Sequence, residues 1–174
     1  MDSIYYSLFF AFGLIFGSFL NVIIFRIPKN LSIIMPPSFC PKCNKTIPLY
    51  RNIPLITYFI QKGNCYNCHK HISIIYPLIE ALIGLVWIFG AYYFTNIPEI
   101  IYFNIISSLL IAIAIIDIKH FIIPLELTIS ILSIILIYLL ILGDISANLD
   151  GIIYGLGYLS IIFIITKIIT KRQS

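Results

Sequence analysis

The sequence predicts an all-α integral membrane protein of about five transmembrane helices with one small loop domain. Of the 174 residues, 60% are hydrophobic and 10% are charged, whereas about 25% of the residues of an average soluble domain are charged. So few charged side chains cannot cover a water-soluble protein of this length, and a disordered chain would be far more polar. The apolar residues also fall into stretches of membrane-spanning length, and all four cysteines lie in one polar segment.

Five apolar stretches are long enough to cross a bilayer core, which takes roughly 20 helical residues. In chain order they are residues 4–25, 75–94, 100–116, 122–142 and 152–169. A backbone inside hydrocarbon must satisfy its own hydrogen bonds, so each stretch is predicted to be a helix despite its isoleucine content. The first stretch has an acid before it and no small-residue cleavage site after it, so it is expected to stay as a helix. The expected parts are a first helix over 1–26, a loop domain over 27–74 and a four-helix membrane part over 75–174.

The eleven basic residues fall in three places that alternate with acidic ends and turns along the five helices. The bases are Arg26, Lys29, Lys42, Lys45, Arg51, Lys62 and Lys70 around the first loop, Lys119 after the third helix, and Lys167, Lys171 and Arg172 at the C-terminus; the acids opposite are Asp2, Glu99, Asp144 and Asp150. Basic residues concentrate on the cytoplasmic side of a membrane. This predicts an external N-terminus with the loop domain and the C-terminus in the cytoplasm. The net charge of +4 is therefore a topology signal, and no nucleic-acid partner is expected, because the bases form no continuous run.

The loop domain contains the four cysteines as two Cys-x-x-Cys pairs with 21 residues between them. The pairs are Cys40-Pro41-Lys42-Cys43 and Cys65-Tyr66-Asn67-Cys68. Two such knuckles supply four soft thiolates for a tetrahedral zinc ion, so a zinc-ribbon-like loop domain is predicted. Disulfides or a redox role are the alternatives, although a reducing cytoplasm disfavours disulfides. A loop this short buries little core, so the metal would supply much of its folding free energy.

Two histidines, His69 and His71, adjoin the second cysteine pair. Either has the chemistry to replace a cysteine as a zinc ligand. Because four cysteines already fill four positions, both histidines are expected at the surface.

An ordered set of motifs gives the chain its resemblance to a known family. The motifs are Gly17-Ser18-Phe19-Leu20-Asn21-Val22, Phe25-Arg26-Ile27-Pro28, the first cysteine pair, Arg51-Asn52-Ile53-Pro54, Gly63-Asn64 with the second cysteine pair, Tyr76-Pro77-Leu78-Ile79-Glu80, Ile116-Asp117 and Ile123-Pro124. Together they resemble the type IV prepilin peptidases, membrane aspartyl proteases of the GxGD kind, over nearly the whole chain. The resemblance implies an endopeptidase of the bacterial inner membrane that cuts the basic leader from type IV prepilins or pseudopilins at the cytoplasmic face. It also implies N-methylation of the new N-terminus with S-adenosylmethionine.

The resemblance places the first catalytic aspartate of the family at Asp117. The family's chemistry uses two carboxylates that share a water, one ionised and one protonated, because two adjacent carboxylates do not easily both ionise. The second aspartate of the family lies in a Gly-x-Gly-Asp motif that this sequence lacks; its nearest string is Gly155-Leu156-Gly157-Tyr158. The expectation is therefore a C-terminally incomplete peptidase domain whose second aspartate comes from a continuation or a separate chain.

Two acids inside the predicted helices, Glu80 and Glu126, are the alternative second carboxylates. Each lies a few residues into its helix, about 6–8 Å below the interface at 1.5 Å per residue. Acids within a membrane span are costly and usually functional, but these two could equally be hydrated or paired with Lys119 or Arg51. Without the family, Asp117 itself fits a catalytic role and a solvated helix-end role equally well. His120, close to it, is expected to be an interface histidine.

Three kinds of function therefore stay open for the sequence. The first is a prepilin peptidase that also methylates its product. The second is an inactive or truncated family member, a membrane-anchored zinc module that binds prepilins without cutting them. The third is a structural membrane protein whose metal knuckle docks a partner.

Overall fold

A computed structural model of the protein describes residues 2–142, which are mostly helical outside the cysteine loop. The helices are α1 (Asp2–Arg26), α2 (Ile56–Ile60), α3 (Ile75–Tyr93), α4 (Ile97–His120) and α5 (Leu125–Leu142), with two short 3-10 turns at Ile27–Lys29 and Leu49–Arg51. Over this range the extended pairing is limited to two isolated bridges, Phe39 with Thr46 and Asn64 with His71. The predicted helix at 152–169, with the acids and bases beyond residue 142, lies outside the described residues.

Three described helices are long and apolar enough to cross a membrane, and α5 adds a shorter apolar one. They coincide with the first four predicted spans, so the all-α membrane fold is confirmed. The third span differs from its prediction, because α4 continues past residue 116 to His120. Lys119 and His120 there are in the last helical turn, where cations interact favourably with the helix dipole. The N–H of Phe121, which is in the left-handed conformation, then closes the helix on the carbonyl of Asp117 at 2.8 Å.

Residues up to Ile131 form one compact unit in which α1 packs along α3 and α4 contacts both. From Leu132 onward the chain belongs to a second unit, of which the helical residues up to Leu142 are described. Within the first unit, residues 94–96 join α3 to α4 by a connection so short that the two packed helices must run antiparallel. The C-terminal end of α4 therefore lies at the same end of the bundle as the cysteine loop, which connects α1 to α3.

Glycines spaced four residues apart bring α1 against α3. A Cβ atom on Gly13 would lie 2.8 Å from the Cα atom of Gly84, and one on Gly17 would lie 2.9 Å from the Cα atom of Glu80. Helices in lipid associate through van der Waals packing rather than a hydrophobic driving force, so small residues at this spacing permit the backbones to approach. Gly17 of the first sequence motif thus sets the distance between α1 and the α3 turn that carries Glu80.

Polar side chains join α3 to α4 within the bundle. The Trp87 indole donates a hydrogen bond to the Ser108 hydroxyl at 3.0 Å, and that hydroxyl donates to the carbonyl of Asn104 at 2.6 Å. The Asn104 amide in turn donates to the carbonyl of Trp87 at 3.4 Å. Side chains of this kind hold transmembrane helices in register, so they fix the level at which α4 ends beside the loop.

Candidate functional site

The two cysteine pairs fold into knuckles with the same backbone hydrogen bonds. In the first, the Cys40 N–H donates to the carbonyl of Lys45 at 2.9 Å and the Asn44 N–H donates to the carbonyl of Cys40 at 2.8 Å. In the second, Cys65 donates to Lys70 at 2.9 Å and His69 donates to Cys65 at 2.9 Å. Each knuckle closes with a residue of positive φ, Asn44 or His69, both at 54°. Asn and His tolerate this conformation better than most residues.

The exposed side chains of His69 and His71 agree with the prediction for them. His69 supplies the positive φ of the second knuckle, and His71 pairs its backbone with Asn64 in one of the two bridges. Both histidines therefore have local backbone roles at the knuckle.

The knuckles bring four free thiols together. The Sγ atoms of Cys40, Cys43, Cys65 and Cys68 all lie within 4.8 Å of one another, and the Cys40 and Cys68 sulfurs are 4.0 Å apart. A tetrahedral zinc ion with Zn–S bonds of about 2.3 Å requires sulfurs separated by about 3.8 Å. Four converging soft donors at nearly this spacing fit a zinc ion, whereas a disulfide requires an S–S separation of about 2.05 Å.

The crowded thiols do not share their charge equally. The backbone N–H of Lys45, followed by the side chain of Asn67, lowers the pKa of Cys43 to about 7 despite partial desolvation. At Cys68 the backbone N–H of Lys70 lowers the pKa, but burial and the neighbouring cysteines together raise the pKa to about 11. Without a cation the cluster therefore favours a mixture of thiolate and thiol.

An amide side chain connects the two knuckles outside the sulfur cluster. The Asn67 Nδ2 atom donates to the Cys43 sulfur at 3.6 Å, and the Lys45 ammonium donates to the Asn67 carbonyl oxygen at 3.0 Å. Tyr66 adds a hydrogen bond from its hydroxyl to the carbonyl of Thr46 at 3.3 Å. Outer contacts of this kind orient metal ligands and tune their basicity. Neither Asn67 nor Lys45 was predicted as a site residue, although their places inside and beside the Cys-x-x-Cys pairs were a usable signal.

A cavity of about 190 Å³ lies between the cysteine knuckles and the loop end of α1 and α3. Its lining includes Ser18, Asn21, Tyr76 and Glu80 from the helices and Cys40, Arg51, Leu55, Tyr58, Cys65 and Tyr66 from the loop. Two hydrogen bonds fix the helix residues that line the cavity. Asn21 donates its amide to the carbonyl of Tyr76 at 3.0 Å, and Glu80 accepts the backbone N–H of Leu55 at 2.9 Å.

Arg26, the last residue of α1, fastens the beginning of the loop. Its side chain is only 3% exposed, and it donates to the carbonyls of Ser32, Pro36 and Pro37 at 2.8, 2.7 and 3.2 Å. A buried charge is costly unless hydrogen bonds satisfy it, and three carbonyls do so here. Arg26 is therefore a structural anchor as well as a topology signal.

The candidate carboxylates occupy different surroundings. Glu80 is buried and lines the cavity, whereas Asp117 is exposed in the last turn of α4 and Glu126 is exposed in the first turn of α5. Among the described cavity-lining residues, Glu80 is the one acid. The cavity thus unites Glu80 with the cysteine loop, and a pair of Asp117 with Glu80 or with Glu126 stays a prediction.

Helices of spanning length and a four-thiol cluster define a membrane protein with a metal-binding loop, and comparisons identify its family. Residues 11–94 match the bacterial peptidase A24 N-terminal domain. The chain is 40% identical over 120 residues to the prepilin leader peptidase/N-methyltransferase of Myxococcus xanthus, 38% over 118 residues to that of Bacillus subtilis and 33% over 178 residues to that of Pectobacterium carotovorum. No solved structure matches it. The chain belongs to the type IV prepilin peptidase family.

The matched regions cover a larger share of this chain than of its relatives. The matches cover 69%, 68% and 86% of the chain and 36%, 48% and 61% of the Myxococcus, Bacillus and Pectobacterium proteins. The chain thus spans about a third to three fifths of the length of these relatives. The family domain at 11–94 contains α1 from residue 11 onward, the cysteine loop and the whole of α3.

Proposed function

We propose that this chain takes part in the proteolytic processing of type IV prepilins or pseudopilins, with Asp117 as one of two catalytic carboxylates. The observation that carries the proposal is topological. Asp117 lies in the last turn of α4, at the end of the bundle from which the cysteine loop emerges. An exposed carboxylate at this level is accessible to water and to a peptide held by the loop, as leader cleavage requires.

Peptide hydrolysis of this kind needs a second carboxylate beside Asp117. One carboxylate takes a proton from the attacking water while the other, protonated, donates a hydrogen bond to the scissile carbonyl. We propose that a polypeptide carrying a Gly-x-Gly-Asp motif supplies the second acid, because the buried Glu80 faces the cavity and its carboxylate already accepts the Leu55 N–H. Glu126, exposed at the start of α5, is the alternative within the chain.

Zinc held by the four cysteines has a structural role in this proposal. When bound, it would offset part of the negative charge of the thiolates and would join the two knuckles. The role would be structural because a four-thiolate tetrahedral site leaves no position open for substrate. The knuckles also form one wall of the cavity through Cys40 and Cys65. Bound metal would therefore hold in place the cavity wall that lies opposite Asn21 and Glu80.

N-methylation is the second activity that we propose, on the strength of the relatives' names. Sites for drug-sized ligands occupy roughly 300–1,000 Å³, and S-adenosylmethionine is a ligand of that size. The cavity of about 190 Å³ does not enclose the whole cofactor, so the described residues alone do not fit it.

The proposed location is the bacterial inner membrane, with the cysteine loop in the cytoplasm and the N-terminus outside. Seven bases lie in or beside the loop that joins α1 to α3, and a reducing compartment keeps the thiols available for metal. Protease digestion of intact spheroplasts and of inverted vesicles measures the orientation. Cleavage of the loop in intact spheroplasts contradicts this topology.

Reconstitution of the full chain in proteoliposomes with a purified prepilin tests the proposed peptidase. Three arms are compared: the chain alone, the chain with a relative's C-terminal fragment that carries Gly-x-Gly-Asp, and that fragment alone. We expect leader cleavage in the combined arm and its loss in D117N, with E126Q as the matched exposed control. If D117N still cleaves the leader, the catalytic assignment of Asp117 is wrong. If E126Q loses cleavage instead, Glu126 is the catalytic carboxylate.

A binding module without proteolysis is the second candidate function. One observation favours it: Glu80 lines the cavity, whereas the exposed Asp117 is not among the described cavity-lining residues. It predicts that the chain co-purifies with a prepilin in detergent while no arm of the reconstitution cuts the leader. Arg51 lies in the cavity wall with its guanidinium 4.3 Å from the Tyr66 ring centroid, and R51A should then weaken the co-purification.

A further inference from the structure

The loop domain exposes large apolar side chains in two places. The first patch, residues 31–35, includes Ile34 at 79% and Met35 at 67% exposure. The second patch, residues 53–60, contains α2 and includes Phe59 at 69% and Ile60 at 75% exposure. Contiguous apolar surface on a water-facing domain marks contact with a protein, a ligand or a membrane.

A buried side chain from the end of α1 holds the first patch. Arg26, where α1 ends, donates hydrogen bonds to the carbonyls of Ser32, Pro36 and Pro37, which bracket Ile34 and Met35. The reach of one arginine side chain therefore limits how far this patch can lie from the end of a membrane-spanning helix. Lys29 follows the same helix end, with its ammonium 3.5 Å from the Phe25 ring centroid.

A second buried side chain holds the other patch against α3. Glu80 lies five residues into α3, which begins at Ile75, and at 1.5 Å per residue this is about 7–8 Å along the helix. Its carboxylate accepts the N–H of Leu55, the residue directly before α2. The start of α2 is thus beside the second turn of a transmembrane helix rather than in the aqueous phase above it. The exposed Phe59 and Ile60 follow within one or two turns.

We propose that both patches insert into the interfacial layer of the same bilayer that α1 and α3 cross, so that the cysteine loop lies on the membrane. Arg26 and Glu80 attach the two patches to the spanning helices, so the patches adjoin the lipid-exposed surface of those helices. Apolar side chains of an interfacial segment reach about 5–10 Å into the boundary between headgroups and acyl chains. Lys29 and Lys62, both exposed, lie beside the patches and match anionic headgroups. The cavity would then open at the level of the membrane surface.

Fluorescence quenching by lipids brominated near the glycerol end of the acyl chain tests the proposal in the full chain. F59W and I34W report on the two patches, and K42W reports on the exposed tip of the first knuckle as the matched control. Trp87 is present in every variant, so its quenching in the unsubstituted chain is subtracted. Because an interfacial side chain reaches the headgroup and acyl boundary, we expect the F59W and I34W indoles to lose much of their emission in brominated vesicles and the K42W indole to lose little.

Two results overturn the proposal. Either F59W and I34W are quenched no more than K42W and are equally open to acrylamide in water, or they become shielded only when a prepilin is added. The second result assigns the patches to a protein partner instead. Zinc content measured on each variant verifies that the loop is folded, and either patch alone is enough to test the insertion if one variant fails to bind metal.

Discussion

The hydrogen bond between Glu80 and the backbone of Leu55 should control whether α2 stays attached to α3. Leu55 has φ 58° and ψ −55°, and the Ile56 N–H donates to the carbonyl of Pro54 at 2.6 Å. These are the features of a γ-turn with positive φ, which is rare and strained. Such a conformation costs of order 1–3 kcal/mol and persists only when its surroundings impose it.

The substitution E80L removes the acceptor of the Leu55 N–H. Leaving a part-buried donor unsatisfied costs about 1–3 kcal/mol, a magnitude comparable with the strain of the turn. With no bond to oppose that strain, the turn should relax and α2 should detach from α3. The same 1–3 kcal/mol corresponds to a roughly 5- to 150-fold increase in the equilibrium constant for local opening.

Hydrogen exchange with mass spectrometry, in nanodiscs, measures that opening over residues 53–60. We expect E80L to exchange faster in this segment by the stated factor, while E126L, at an exposed acid, leaves it unchanged. Adding L55G to E80L should restore part of the protection, because glycine adopts positive φ without strain. Equal exchange in E80L and E126L would refute the reasoning, since the bond would then contribute nothing to holding α2.

Three further outcomes follow from the site and the packing. C65S should lower zinc in the purified protein from about one ion per chain to a small fraction, because a structural site uses all four ligands; elemental analysis that finds full zinc contradicts the cluster. In metal-free protein at pH 8, Cys43 should alkylate before Cys68, because a pKa of about 7 leaves mostly thiolate whereas a pKa of about 11 leaves mostly thiol; peptide mapping after brief treatment shows the order. G17V should destabilise the bundle in detergent by about 1–3 kcal/mol, whereas A11V on the lipid-exposed side should not, and similar denaturation midpoints would argue against close α1–α3 packing.

The helices and the cysteine cluster were predictable because their signals are local. Hydrophobic length alone defines a membrane helix, and two Cys-x-x-Cys pairs define a four-thiolate site wherever the intervening chain runs. The predicted end of α4 came too early, because the prediction ended the helix where the apolar residues give way to Asp117 and Lys119. Charged residues can remain helical where a span meets water, so a pattern of apolar residues does not predict the last helical turn.

The cavity was not predictable, because it depends on contacts between distant parts of the sequence. Glu80 was predicted as an acid inside a span, but its bond to Leu55 joins residues 25 positions apart. Asn21 likewise bonds to the carbonyl of Tyr76 across 55 positions. Both residues occur in the family motifs, yet the motifs do not state which backbone groups they satisfy. These hydrogen-bond partners can be identified only in the folded structure, in which Gly17 lets α1 pack closely against α3.

Three buried polar side chains, Arg26, Asn21 and Glu80, make the cysteine loop an extension of the membrane helices rather than a tethered domain. Each belongs to a spanning helix: Arg26 and Glu80 bind backbone of the loop, and Asn21 binds the backbone of Tyr76 at the start of α3. A displacement of α1 relative to α3 must therefore either carry the loop with it or break hydrogen bonds, each of which costs about 1–3 kcal/mol when a buried group is left unpaired. The knuckles and the cavity thus occupy fixed positions at the loop end of α1 and α3. Zinc bound at the knuckles would strengthen this coupling, because the site draws on both ends of the loop, close to α1 and close to α3.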